Sequence, residues 1–269
     1  MSLLSVVRDV CAVVGVAAPT SVIASINTNR TMFEMLACAN EMAQRIAYDT
    51  RDWTTLQTSA IFTGDGQWVP PLPPPVGVTS IWTGTSSFNL PTNYKRMLLT
   101  SNVWRSTSTQ QPMRFFSDTD EWVQRRANND EDAWGEWIMY GGQMHIWPIM
   151  AGYIPAVPED PGPPLIPARP AIPAVTARFS YLDKNCIALA AGGFGDQFQA
   201  DADTFRLDER LLKLGMTFDW KMKKGSPYAE DMGTYSDAIA MAMGHDKPSP
   251  IYNGGRGVPD VWGGYNAQY

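Results

Sequence analysis

The chain is poor in the residues that most often carry chemistry. Its 269 residues include two histidines, His145 and His245, and three cysteines. No Cys–His spacing matches a structural zinc site, and no G-x-S-x-G nucleophile turn is present. Three widely spaced cysteines exclude a disulfide framework and fit a reducing compartment. Charge is also scarce: 18% of residues are charged, below the ~25% usual for soluble domains. The balance is acidic, 27 Asp+Glu against 21 Lys+Arg for a net −6, which lacks the basic footprint of a dedicated nucleic-acid binder. Long apolar runs are missing. The longest, Val10–Ala18, has nine residues, under half of the ~20 a membrane helix needs. Arg8 and Asp9 follow an already apolar stretch, the wrong order for a signal peptide, so this end is read as an ordinary helix.

Proline and glycine are what the chain has in excess, 21 and 22 residues. They divide it into segments of different period. Leu3, Leu4, Val7, Val10, Cys11 and Val14 share one helical face. A second helix is expected from about Arg30 to Asp52, capped by Thr28 or Asn29, with Met32, Met35, Leu36, Ala39, Met42, Ala43 and Ile46 inward. Trp53–Thr63 then reads as strand. Gly64–Gly66 is a turn, and Pro70–Pro75 is extended polyproline. Short strands are expected near 80–83, 86–90 and 102–105, and Ser117 is expected to cap a short helix through Asp118, Asp120, Glu121, Trp122 and Val123. Glu136–Tyr140, Gly141-Gly142 and Gln143–Trp147 form the clearest hairpin, two glycines supplying a primed turn. Val175–Leu182 is a further alternating strand. Between these lies Tyr153–Ala174 with eight prolines, which excludes helix or central strand and has a contour of roughly 65 Å at ~3.1 Å per residue.

Helix returns after Asp203, with Leu207, Leu211, Leu214, Phe218 and Met222 on one face. Gly225-Ser226-Pro227 reads as a stop and restart, with Ser226 as the next N-cap. The following helix turns Tyr228, Met232, Tyr235, Ile239 and Ala242 inward, completing a helical hairpin. From about His245 to Tyr269 the periodicity ends, among five glycines and three prolines. The fold class is therefore α+β: a helical bundle from residues 1–52 and 205–244, a β-rich insertion over 53–204 with the Pro-rich extension 153–174, and an extended tail over 245–269.

Candidate chemistry is thin. Cys11 and Cys38 read as small buried thiols within helices. Gly192, Gly193 and Gly195 do not open a helix and lack the acid of a dinucleotide fingerprint. Two acidic clusters remain, Asp118/Asp120/Glu121 and Asp130/Glu131/Asp132. With Trp122 and Trp134 to stack sugars, they make a glycan or peptidoglycan hydrolase the alternative reading, although helix capping and a solvated loop account for both clusters. Arg125-Arg126 and Lys221/Lys223/Lys224 are too few for a nucleic-acid surface and suit helix ends. An aromatic carbohydrate-binding module is disfavoured by the four amphipathic helices. No catalytic residue, cofactor or metal is expected.

The ordered series of motifs carries a resemblance. It runs from Leu3–Val7, Gly15 and Pro19–Val22 through Leu36-Ala37, Ala39–Glu41 and Asp52-Trp53. It continues with Phe88–Tyr94, Trp104, Pro112, Trp122 and Ile146-Trp147-Pro148, the last expected to pair with Phe179–Tyr181. It ends in Asp208–Gly215, Phe218–Lys221, Lys224-Gly225, Tyr228–Glu230 and Tyr235. Over residues 2–150 and 175–244 this resembles the head-to-tail adaptors, or tail accessory factors, of tailed bacteriophages of the podovirus type. The resemblance implies a structural virion protein at the head–tail interface, assembled in the host cytoplasm. It implies a homo-oligomeric twelve-fold ring beneath the portal protein, extending the channel for genomic DNA and receiving the tail nozzle, tail tube or tail fibres, without a membrane. Leu207, Leu211, Leu214, Phe218, Tyr228 and Tyr235 would lie on the ring-packing helices. The tail aromatics Tyr252, Trp262, Tyr265 and Tyr269 would anchor to the portal, since Tyr and Trp dominate interface energetics.

Overall fold

Helix α1 (Leu3–Val14) starts on a capping box formed by Ser2 and Ser5 and ends on Gly15, whose left-handed φ of 74° only glycine adopts without cost. It belongs to a computed structural model that describes residues 2–69, 81–98, 101–107, 111–128, 130, 132–154 and 170–246. The polyproline run, most of the Pro-rich extension and the tail from residue 247 lie outside the described residues. Four further helices follow: α2 (Arg30–Tyr48), α3 (Thr119–Ala127), α4 (Glu209–Lys223) and α5 (Ala229–His245). The strands are β1 (Gln57–Thr63), β2 (Gln67–Val69), β3 (Ile81–Thr83), β4 (Ser87–Asn89), β5 (Tyr94–Met97), β6 (Trp104–Arg105) and β7 (Arg114–Phe115). After α3 come β8 (Glu136–Tyr140), β9 (Gln143–Trp147), β10 (Thr176–Asp183), β11 (Ile187–Ala188), β12 (Phe194–Gly195) and β13 (Thr204–Phe205). The protein is thus mixed α and β.

One core is mainly helical. The inward face of α1 (Leu3, Val6, Val7, Val10, Cys11) and that of α2 (Met32, Met35, Cys38, Ala39, Met42, Ala43, Ile46, Ala47) close on Leu211, Leu212, Met216, Phe218 and Trp220 of α4. The expected faces of α1 and α2 differ from this by three residues each: Leu4, Val14 and Leu36 are only partly buried, and Val6, Cys38 and Ala47 are buried unexpectedly. The expected face of α4 holds in part: Leu211 and Phe218 are buried, but Leu207 precedes the helix and Met222 is exposed, while Leu212, Met216 and Trp220 are buried as well. The cause is position. α4 packs against α1, α2 and α5 and is buried at every residue from Gly215 to Trp220, so most of its girth is covered there and no single stripe describes it. Gly215 sits where this crowding is tightest; a Cβ there would lie 2.6 Å from Met42 Cε and 3.2 Å from a ring carbon of Tyr235.

The second core is built by two sheets. In the first, β10 is central, with β1 on one side and β5 and β6 on the other. In the second the order is β4-β9-β8-β7, with β7 parallel to β8. Ala60, Phe62, Ala177, Phe179 and Tyr181 of the first meet Trp137, Met144 and Ile146 of the second. The hairpin β8–β9 follows its expected boundaries, with Gly141 and Gly142 at φ 61° and 75°. The expected pairing of residues 146–148 with 179–181 does not occur. β4 and β8 already occupy both edges of β9, so Ile146 and Phe179 meet only in the core.

Several boundaries also move. α2 stops at Tyr48, and Trp53–Leu56 is a tight turn in which the Trp53 indole N–H donates to the Ile46 carbonyl at 2.7 Å, so β1 starts at Gln57. Asp118 caps α3, not Ser117, accepting from the Asp120 N–H at 2.8 Å. A carboxylate there also suits the helix dipole. Ile154 and Ile172 exchange both backbone hydrogen bonds at 3.0 and 2.9 Å, so the Pro-rich extension begins and ends at one place. A segment closed in this way reaches at most half its contour, roughly 30 Å at ~3.1 Å per residue.

Candidate functional site

The helical hairpin α4–α5 has a strong local signature in the sequence, and its second helix has no fully buried residue. Asp208 caps α4 by accepting from the Arg210 N–H at 2.8 Å. At its other end Ser226 N–H donates to the Lys221 carbonyl and Gly225 N–H to that of Met222. With Gly225 at φ 70°, this is a Schellman closure. It uses the Ser226 backbone, so Ser226 does not cap α5. The chain turns through Pro227, and α5 starts after Tyr228 with no side-chain cap.

Tyr235, Ala238, Ile239, Ala242 and Met243 of α5 pack on the helical core, yet no residue of α5 is fully buried. Tyr228 and Met232, expected inward, are exposed. They face the lysine-bearing end of α4, where the Lys221–Asp231 ion pair at 2.6 Å takes the place of apolar contact. Met232 and Met241 are 49% and 62% exposed; nine residues apart, they stand on opposite sides of α5. Of the residues expected on ring-packing helices, Leu211 and Phe218 are buried in the chain's own core. Leu207, Leu214 and Tyr235 are half-buried, and Tyr228 is exposed.

The end of α5 is fastened. The Asp246 carboxylate accepts from the Thr54 N–H at 3.2 Å and the Thr54 hydroxyl at 2.5 Å, and pairs with Arg51 at 3.4 Å. Arg51 also donates to the Met243 carbonyl. The turn before β1 therefore holds the point from which the tail leaves. Tyr252, Trp262, Tyr265 and Tyr269 themselves lie outside the described residues.

The described residues of the acidic clusters have structural roles. Asp118 is a cap, and Asp120 and Glu121 occupy the first turn of α3. Asp130 pairs with Arg125 at 3.1 Å, and Asp132 accepts from the Trp134 N–H at 3.0 Å. Glu131 lies outside the described residues. Trp122, expected to be free for stacking on sugar, is buried against Phe116 and lies under the Arg126 guanidinium; Trp134 is 37% exposed. His145 meets the Ser87 hydroxyl at 2.7 Å and stacks on Tyr140, as their places on neighbouring strands dictate. Burial holds its pKa below the ordinary value. Among the described residues no group of His, Cys, Asp and Glu is placed to hold a metal, and no helix is long and apolar enough to cross a membrane.

Sequence reasoning missed the buried carboxylates, because hydrophobic periodicity is blind to them. Glu136 is wholly buried on β8, accepting from Arg125 at 2.6 Å and from Arg126. Asp203 accepts from the N–H groups of Ala190, Gln199 and Ala200 at 2.8, 2.6 and 2.7 Å. Burial alone would raise its pKa, but these three donors outweigh it and hold the carboxyl below its usual value. The carbonyls of Asp203 and Asp201 accept from the first two N–H groups of α1, Leu3 and Leu4, and the Asp201 carboxylate accepts from Val22 and Ile23. Asp219, buried in α4, accepts from the Cys38 thiol at 3.1 Å and pairs with Lys223 at 2.7 Å. The three lysines at the end of α4 are all engaged, Lys221 with Asp231, Lys223 with Glu41 and Asp219, and Lys224 with Glu34.

No protein-family model matches the chain, and no curated protein matches it.

Proposed function

We propose that this chain is a head-to-tail adaptor of a tailed phage, a structural virion protein that forms a ring under the portal, extends the DNA channel and receives the tail. The observation that carries the reading is α5, a 17-residue helix with no fully buried residue, on whose outward side Met241 is 62% exposed. A helix that lies on the core with no fully buried residue leaves most of its surface uncovered, and in a ring of twelve a neighbouring copy would pack there. The order of elements supports the same reading: helices first and last form a bundle, with the β-rich region inserted between them. The net charge also fits. Twelve copies at −6 total roughly −72 before screening, a lumen that repels DNA and lets it slide. The tail beyond Asp246 docks on the portal through Tyr252, Trp262, Tyr265 and Tyr269, aromatic anchors of the kind that dominate interface energetics.

The test is electron microscopy of the protein mixed with its portal, alongside a variant lacking residues 247–269 and Met241→Glu. The full chain forms a ring on the portal; the shortened chain keeps its fold by circular dichroism but does not attach; Met241→Glu attaches without closing a ring. Undiminished attachment of the shortened chain overturns the reading.

A further inference from the structure

Strand β1 is an edge strand of unusual make-up. It is seven residues long, its register with β10 is unbroken from Gln57↔Leu182 to Thr63↔Thr176, and among the described residues no strand lies on its other side. Edges of this kind are ordinarily guarded by a charge, a proline, a bulge or short length. β1 has none of these: its residues are Gln57, Thr58, Ser59, Ala60, Ile61, Phe62 and Thr63. The opposite edge of the same sheet is guarded. β5 carries Lys95 and Arg96, β6 is two residues long, and the ladder shifts at Leu182/Asp183. Ile61 is 50% exposed on the outer face of β1, in one row with exposed Arg178 and Trp104. One edge is closed to further pairing, and among the described residues the other is open.

We propose that the segment Tyr265–Tyr269 of the same chain adds to β1 as a fifth strand of this sheet. Two observations choose this occupant. The tail leaves from Asp246, which is hydrogen-bonded to Thr54 three residues before β1 begins. Beyond Asp246, Tyr265–Tyr269 is the longest run without glycine or proline, and it carries no charged side chain. Period-two alternation puts Tyr265, Ala267 and Tyr269 on one face, where aromatic rings would flank Ile61 as favourable cross-strand neighbours. The residues between, 247–264, make a glycine-rich linker with a root-mean-square span of roughly 25 Å, and β1 is roughly 23 Å long. Tethered in this way, the segment meets the edge at an effective concentration in the ~mM range, enough for a short strand whose affinity comes from main-chain hydrogen bonds. The inference goes beyond the adaptor reading and does not rest on it, because it concerns the isolated protein without portal.

The experiment is hydrogen exchange, resolved by residue, over 57–63 in the dilute full chain, in a variant lacking residues 265–269, and in Ile61→Lys. In the full chain the β1 amides facing away from β10 exchange about tenfold more slowly than in the shortened chain. Adding the free peptide Tyr-Asn-Ala-Gln-Tyr to the shortened chain restores part of that protection. Ile61→Lys, which charges an exposed edge position, removes it with the tail intact, while helix content by circular dichroism stays unchanged. Equal exchange in the full and shortened chains overturns the proposal. So does protection that grows with protein concentration, which would give the edge to a second copy.

Discussion

Replacing Glu136 by Gln removes the negative charge from a wholly buried side chain while keeping its volume. Glu136 lies between Arg125 and Arg126, whose side chains are 21% and 17% exposed, so water screens them little. The aromatic rings of Phe116, Trp122 and Trp147 surround the guanidiniums. The side chain accepts two charge-assisted hydrogen bonds, each worth about 1.5–3 kcal/mol. A glutamine in its place could accept at one oxygen only and would take away the carboxylate that Arg125 and Arg126 share, leaving Arg125 with Asp130. Removing one partner from a buried ion pair costs about 3–5 kcal/mol, which agrees with the sum of the two bonds. A loss of about 3–4 kcal/mol is therefore expected on urea unfolding followed by tryptophan fluorescence, to which Trp122, Trp137 and Trp147 report locally. The triple change Arg125→Met, Arg126→Met, Glu136→Leu should recover most of the loss, since apolar residues of similar volume replace buried ion pairs at little cost. A loss under about 1 kcal/mol for Glu136→Gln would refute the reasoning.

Asp203 has a folded pKa below its unfolded value, so its contribution to stability is present above about pH 4 and is lost as pH falls through the folded pKa. Asp203→Asn should flatten that acid-side fall in the urea midpoint, measured between about pH 6 and pH 2. Gly215→Val should destabilise the helical core by about 1–3 kcal/mol through overpacking against Met42 and Tyr235, seen as a lower thermal midpoint; an unchanged midpoint would mean that α5 is not held where the structure has it. Asp246→Ala should free the end of α5 from Thr54 and Arg51, detected as faster amide exchange over residues 239–246 with no change in α2.

What was legible in the sequence was what is decided locally. The inward faces of α1 and α2 largely follow from spacing alone, and Gly141-Gly142 set the β8–β9 hairpin because two left-handed residues in succession allow few other turns. Pairing between distant strands was not legible. Nothing local tells β9 to take β4 as its second neighbour, and the expectation that it meets β10 failed for that reason. The face of α4 was read only in part because a helix covered over most of its girth has no dominant stripe. Of the candidate site, the hairpin signature around Gly225 was visible, but not the fastening of Asp246 to a turn some 190 residues earlier in the chain. Buried carboxylates leave no periodic trace. Glu136 reads as one more polar residue before a strand until Arg125 and Arg126 are seen to close on it.

The hydrogen-bonded pair Ile154–Ile172 has a consequence for how this lineage can vary. Whatever lies between those two residues enters and leaves through a single gate, so the surrounding sheets carry no information about its length. Each doubling of such a loop costs about 0.6 kcal/mol in closure entropy. The gate is therefore a natural splice point. A two-residue turn, a longer proline-rich arm or an unrelated binding module could be exchanged there over evolutionary time, or by design, while the sheets on either side stay as they are.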